Sequence, residues 1–236
     1  MKKRIFKSGD RGKADHGWLI ARHSFSFANY YDPEKIRFGT LRVLNDDIVK
    51  PSMGFGKHPH DNMEIVTIPL KGELAHEDST GNKEVIYADE VQIMSAGSGL
   101  THSEFNNSET EEVNLLQIWV FPKVKDIEPR YDQKKFNPED RYNKIQTIVS
   151  PEKNENTLWI NQNAYFSLSD LDKDLKVNYK IKSKGNGVYV FLIEGKAEID
   201  KDILDKRDAA GIEEADNIEV KALENSRLLF IEVPMN

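Results

Sequence analysis

The sequence predicts an all-β chain built as barrels or sandwiches. Three observations carry this reading. Short apolar or alternating runs recur along the whole length, turn residues punctuate them, and helical periodicity is nearly absent. Short strands at such spacing close into a barrel or pack as a sandwich.

The first runs are LRVL (41–44), MEIVTIPL (63–70), EVIY (84–87), VQIM (91–94) and LLQIWVF (115–121). LKVNYKI (175–181), VYVFLIEG (188–195), IEVKAL (218–223) and RLLFIEV (227–233) follow. They are rich in β-branched and aromatic residues, which suit a pleated surface. In LKVNYKI, Leu175, Val177, Tyr179 and Ile181 alternate with polar residues, the period of a half-buried strand. Turns are supplied by STGN (79–82), SAGSG (95–99) and KSKGNG (182–187). Short helical turns are expected only at 138–144 and 168–172.

A weak internal repeat organises these strands. IVTIPLKGELAHED (65–78) resembles VYVFLIEGKAEID (188–200). In each, an apolar strand reaches a glycine, Gly72 or Gly195, and a second strand begins. Two similar β modules are therefore expected, over 1–122 and 158–236. The polar, proline-containing stretch 123–157 connects them.

Composition narrows the function classes. At 236 residues the chain can bury a substantial core. Apolar residues make up 38%, which excludes wholesale disorder. The longest apolar stretch, 115–121, contains Gln117 and is far short of a membrane span. Cysteine is absent, so disulfides, thiolate metal sites, cysteine nucleophiles and iron–sulfur clusters are excluded. The net charge is −7, and the basic pieces KVK (123–125) and KK (134–135) have acids close by. Direct nucleic-acid binding is not expected. The start MKKRIFKSGD runs into no apolar segment, so a secretory signal is not expected and the cytoplasm is the expected compartment.

The two modules are chemically unequal. The six histidines are His16, His23, His58, His60, His76 and His102, and none follows. Any transition-metal site therefore belongs to the first module. There GKHPHDNME holds His58 and His60, and LTHSEFN holds His102 and Glu104. Residues two apart on a strand face the same way, so two such pairs on neighbouring strands can bring three imidazoles and one carboxylate onto one ion. Pro59 suits an edge or bulge between two ligands, and Gly97 and Gly99 allow a tight approach before His102. Three nitrogens and one oxygen suit Fe, Ni, Cu, Zn, Mn or Co. Four protein ligands leave positions for water, O2 or a chelating substrate, the layout of a catalytic site.

RHSFSFANYYDP (22–33), FGTLRVLNDD (38–47), GFGKHPHDNMEIVTIPLKGELAHEDSTGN (54–82), VQIMSAGSGLTHSEFN (91–106) and LLQIWVFP (115–122) resemble the pirins, bicupin proteins of the cupin superfamily. The resemblance spans nearly the whole first module and weakens through IEPRYDQKKF (127–136) into the second. It implies two stacked antiparallel β-barrels of jelly-roll type, the first holding a metal and the second lacking it. The general cupin pattern HxHx(3,4)E would make Glu64 a ligand, since Glu64 shares strand parity with His58 and His60. The pirin pattern instead implies His58, His60, His102 and Glu104, with Glu64 holding a ligand by a hydrogen bond. Asp89 stands where pirins normally carry glycine, which is expected to alter a turn and spare the metal site.

The remaining marked residues read as structural. His23 is expected to be packed, His76 to hydrogen-bond at the turn it precedes, and His16 to lie on the surface. Trp18, Trp119 and Trp159 are expected in the core or between modules. Phe25, Phe27, Tyr30 and Tyr31 are expected to bury a core edge, the alternative being that they wall an aromatic substrate pocket.

The resemblance also implies an activity. Bacterial pirins of this kind show quercetin 2,3-dioxygenase activity, with a flavonol and O2 as substrates and Glu104 as the candidate base. Fe(II) is the expected metal, with Ni, Cu, Mn, Co or Zn as alternatives, and the expected state is a monomer. The alternative is a non-enzymatic iron-binding regulator acting through a protein partner, as described for eukaryotic pirins. A third reading keeps the metal but uses it as a Lewis acid for isomerisation or hydrolysis.

Overall fold

The computed structural model describes residues 1–235. The chain forms β1 (Lys2–Phe6), β2 (Gly12–Asp15), β3 (Leu19–His23), β4 (Leu41–Val49), β5 (Gly54–His60), β6 (Glu64–Lys71), β7 (Glu73–Asp78), β8 (Lys83–Tyr87), β9 (Glu90–Ser95), β10 (Leu100–Asn106), β11 (Val113–Val120) and β12 (Arg130–Lys135). It continues with β13 (Gln146–Ser150), β14 (Leu158–Trp159), β15 (Tyr165–Leu171), β16 (Lys176–Lys180), β17 (Asn186–Glu194), β18 (Lys196–Ile199), β19 (Asp202–Asp205), β20 (Ala209–Glu213), β21 (Asn217–Ala222) and β22 (Ser226–Pro234). Helix among the described residues is limited to single 3-10 turns at Ser8–Asp10 and Pro138–Asp140, so no helix could cross a membrane.

Each module pairs a seven-stranded sheet with a four-stranded one. The first has β12-β9-β6-β11-β4-β3-β2 and β5-β10-β7-β8; the second has β1-β20-β17-β22-β15-β13-β14 and β16-β21-β18-β19. This is the all-β, two-barrel architecture that the sequence predicts. One strand crosses between the modules. β1, expected within the first module, pairs antiparallel with β20 at the edge of the second sheet.

Three sets of side chains explain the stacking. Leu44, Val66, Ile68 and Ile118 of the first large sheet share one buried cluster with Phe166, Phe191, Leu229 and Ile231 of the second. The modules therefore pack large sheet to large sheet, and those strands are buried on both faces. Inside the second barrel, Tyr179, Val190, Val220 and Phe230 form a continuous apolar core, with Tyr179 stacked on Phe230 at 4.9 Å. The interior of the first barrel instead holds two small apolar clusters. One contains Leu74, Ile86 and Leu115, and the other Ile65, Met94 and Leu100. Polar side chains share that interior, including Asn45, Asp47, His102, Glu104 and Gln117.

The expected turn at 138–144 is realised as the 3-10 turn after Asn137, whose Oδ1 accepts from Glu139 N at 3.2 Å. The turn expected at 168–172 does not form, because 168–171 continue β15. Serines that read as turn residues are buried there, and Ser169 Oγ donates to Lys144 O at 2.9 Å. Asp89 adopts φ +67, the left-handed conformation that favours glycine. Its carboxylate accepts from Arg141 Nη2, which also explains what the side chain does in place of glycine.

Candidate metal centre

β5 and β10 are antiparallel neighbours, with His58 opposite His102 and Leu100 opposite His60. The alternation on β10 sends His102 and Glu104 inward and leaves Phe105 exposed. A register shift between His102 and Glu104 sets Glu104 against Phe55 on β5, while β7 presents His76 opposite Glu104. Pro59 lies on the exposed face between the two histidines.

Three imidazole rings meet here. The ring centroids lie 4.4 Å apart for His58 and His102, 4.8 Å for His60 and His102, and 4.9 Å for His58 and His60. One ligand atom from each lies within 4.8 Å of the others. His102 also belongs to a second set of the same span, with His76 and Glu104. Glu104 is fastened through Oε2, which accepts from Gln117 Nε2 at 2.8 Å.

Hydrogen bonds behind the rings fix which nitrogens are free. Asp78 accepts from Thr80 N, Thr80 Oγ1, Asn82 N and Asn82 Nδ2 at 2.7–3.2 Å. Burial alone would raise its carboxyl, but these bonds and His76 hold it well below the usual carboxylate range. The carboxylate accepts a hydrogen bond from His76 Nε2–H at 3.2 Å, which leaves His76 Nδ1 with a lone pair. His102 Nδ1 lies 3.5 Å from that lone pair and donates to it. The lone pair of His102 then resides on Nε2. On the outer strand, His58 Nδ1 donates to Gly56 O at 2.8 Å, freeing its own Nε2.

The donor set fits a cation other than a proton. Burial, with the neighbouring histidines, pushes His60 down to about 4 and His102 down to about 2, so neither is protonated at neutral pH. Yet His102 Nε2 and Glu104 Oε1 are sealed from solvent with no hydrogen-bond partner. Leaving such atoms unmatched is costly. A divalent transition metal satisfies both, and neutral imidazoles with a carboxylate are its ligand types. Burial raises the metal-free Glu104 carboxyl to about 7, offset by Gln117.

The centre lines a cavity of about 430 Å³. Trp18, Phe27, Phe55, Ile65 and Trp119 give it apolar, largely aromatic walls. Trp119 stands edge-on to His60, with centroids 4.9 Å apart. An aromatic cavity ending in a metal centre is a small-molecule site.

Comparison with known proteins places this arrangement. The pirin domain model matches residues 6–120, and the model described as the quercetinase C-terminal cupin domain matches 147–233. A protein of Escherichia coli strain K12 described as quercetin 2,3-dioxygenase is 40% identical over 228 residues, 97% of either chain. The chain belongs to the pirin family. A pirin-like protein of Caulobacter vibrioides is 39% identical over 222 residues, 94% of this chain and 95% of its own. The crystal structure of the bacterial pirin YhhW from Escherichia coli in complex with nickel(II) superposes with a TM-score of 0.93. It is 38% identical, and the match covers 99% of each chain.

Within this pirin, His58, His60 and His102 come together as the spacing suggests, while Glu104 groups with His102 and His76. Glu64 does not. The chain leaves the strand after His60, and Asn62 takes φ +44 before β6 begins, so parity does not carry across. Glu64 Oε2 accepts from Ser95 Oγ at 2.8 Å and from Asn161 N at 3.1 Å, so it fastens the second module instead of a ligand. His23 is packed, with Nδ1 donating to Asn45 Oδ1 at 2.8 Å. His76 hydrogen-bonds as expected, and His16 is exposed. Trp18 and Trp119 pack against the first barrel's apolar clusters as expected and, with Phe27, also line the cavity. Asn45, Asp47 and Gln117 also line it and were missed. Their signal was available: polar residues at alternate positions inside strands otherwise apolar.

Proposed function

We propose that this pirin is a metal-dependent dioxygenase that opens the ring of a flavonol with O2, and that Fe(II) is its working ion. The observation that carries this reading is the meeting of the His58, His60 and His102 imidazoles at an aromatic-walled cavity, with the Glu104 carboxylate beside His102. The relatives described as quercetin 2,3-dioxygenases support the same reading. His58, His60, His102 and Glu104 would hold the metal, with Asp78 and His76 presenting His102 Nε2 to it. The bound ion supplies Lewis acidity toward the flavonol oxygens and, when redox-capable, a path for electrons to O2.

The chain's own side chains do the rest. The indoles of Trp18 and Trp119 and the rings of Phe27 and Phe55 form the walls that hold a planar ligand and exclude water. Glu104 Oε1 would accept the proton of the flavonol 3-hydroxyl, either by shifting off the metal or while still its ligand. Gln117 keeps the other oxygen in place through this transfer. Both atoms of O2 enter the product, and one ring carbon leaves as carbon monoxide.

The test is aerobic quercetin consumption followed together with O2 uptake. Apo-protein is reloaded separately with Fe(II), Ni(II), Mn(II), Co(II), Cu(II) and Zn(II). Turnover is expected with Fe(II), and His60→Ala should lose it while melting as a folded protein. Absence of turnover with every ion, despite one ion bound per chain, would reject the oxygenase and favour a regulatory role.

A further inference from the structure

Apart from the metal donors, the polar side chains on the cavity wall are Asn45, Asp47 and Gln117. Two of these are engaged. Asn45 Oδ1 is held by His23, and Gln117 donates to Glu104 while accepting from Thr67 Oγ1 at 3.1 Å. Asp47 differs. Its Oδ1 is sealed from solvent and has no hydrogen-bond partner among the described residues. The arginines near this strand do not relieve it. Arg11 and Arg207 both pair with Asp46, at 3.3 and 3.1 Å, on the opposite face of β4.

A buried carboxyl without partners is costly to the fold, and a leucine would fill the same wall without that cost. Here it lines a cavity whose other walls are aromatic. Aromatic walls grip the faces of a planar ligand but cannot tell one ring substituent from another. An unmatched carboxyl on such a wall can, whereas the other unmatched atom of the wall outside the metal donors, Trp119 Nε1, can only donate.

We propose that Asp47 is the specificity-determining residue of this cavity, exchanging a hydrogen bond with a hydroxyl or keto oxygen on the rim of the bound aromatic substrate. The inference rests on the flavonol reading and adds to it the group that selects among hydroxylated rings. Chemistry agrees with the geometry. Burial, with Asp46 and Glu104 adding to it, pushes the Asp47 carboxyl up to about 8. Whenever it holds its proton it can both donate and accept, and when ionised it accepts from a ligand hydroxyl. A ligand hydroxyl has the same two capacities, whereas a ring carbon–hydrogen has neither. Asp47 acts on binding and takes no part in the transfer to Glu104.

The experiment is ligand binding to the full-length protein, read by quenching of its tryptophan fluorescence, since Trp18 and Trp119 wall the cavity. The probes are quercetin and flavonols that each lack one of its hydroxyls. Wild type is expected to bind one of these analogues about tenfold more weakly than quercetin. Asp47→Leu should bind quercetin and that analogue equally, and Asp47→Asn, which keeps a donor and an acceptor, should restore part of the preference. If Asp47→Leu does not melt as a folded protein, Asp47→Ala takes its place. Apolar variants that keep the wild-type ratio would overturn the proposal and leave the flavonol reading standing. Wild type that binds no flavonol would overturn both. Wild type that discriminates through Asp47 but consumes no O2 would support this inference and reject the oxygenase.

Discussion

At the scale of single residues, the metal centre depends on what stands behind the rings. Asp78 does not line the cavity, yet it decides the tautomer of His76 and, through it, of His102. Asp78→Asn can present its amide N–H to His76 Nε2 and force the proton onto Nδ1. His102 would then carry its proton on Nε2 and lose the free lone pair. The expected result is a 10- to 100-fold loss of metal affinity, typical of partners one step behind a ligand. Equilibrium metal titration against a competing chelator measures it, and an affinity within threefold of wild type would dismiss the relay. The ligand-bearing pairs were legible in the sequence because HxH and HxE report their own spacing. The relay was legible only in part. His76 read as a hydrogen-bonding residue, but nothing in LAHED shows that β7 lies beside β10.

Elements place these residues, and turns decide where elements begin. The SAGSG turn feeds β10. Gly97 sits at φ +49, and a Cβ there would collide with the backbone carbonyl of Ile127. The same turn ties down both ligand strands. Asn62 N, just past β5, donates to Gly97 O at 2.9 Å, and Ser98 N donates to Ile127 O at 2.8 Å. Gly97→Ala should therefore cost about 2 kcal/mol or more and weaken metal binding with it. Urea unfolding and metal titration check the pair of effects. A variant as stable as wild type would show that the turn is not strained. Strands with alternating or apolar runs could be read from sequence, as β6, β11, β16 and β22 show. The break after β5 could not. DNME carries no strong turn signal, yet Asn62 resets the parity and turns Glu64 away from the histidines. Asp47 and Gln117 stood out as polar residues inside strands, but the sequence does not say which face of β4 or β11 looks into the cavity, since both strands are buried on both faces.

At the scale of the whole molecule, the second barrel packs against the first. Its own interior is filled by Tyr179, Phe230 and their neighbours. Glu232, buried there, is taken by Tyr179 Oη, Lys182 N, Ser183 N and Asn186 Nδ2. Between the modules, β1 crosses over, and Arg207 of the second module reaches Asp46 of the first. Glu64 sits at that junction, completely buried.

Burial pushes Glu64 up to about 7, opposed by Asn161, Ser95 and Arg130. A carboxyl raised in the folded state binds its proton more tightly there than in the unfolded chain. Its penalty is absent below about pH 4.5, grows as pH rises toward 7, and is constant above, reaching on the order of 3 kcal/mol at most. Glu64→Gln keeps the acceptor for Ser95 and Asn161 and has no proton to lose. It should equal wild type at pH 4.5 and be the more stable protein at pH 8. Urea midpoints at the two values decide this, and a variant that is less stable at pH 8 would contradict it. The strands that form the junction were legible in sequence. Their partners were not, because residues that meet between the modules, such as Asp46 and Arg207, lie 161 positions apart.

The central claim is that one ion is held by His58, His60, His102 and Glu104. Anomalous diffraction from a crystal of the metal-loaded protein, measured at the absorption edge of the loaded ion, tests it most directly. The account predicts one strong peak within bonding distance of His102 Nε2, bounded by His58 and His60, with Glu104 completing the set. A peak on the other side of His102, bonded to His76, or no peak in protein that carries one ion per chain, would contradict it.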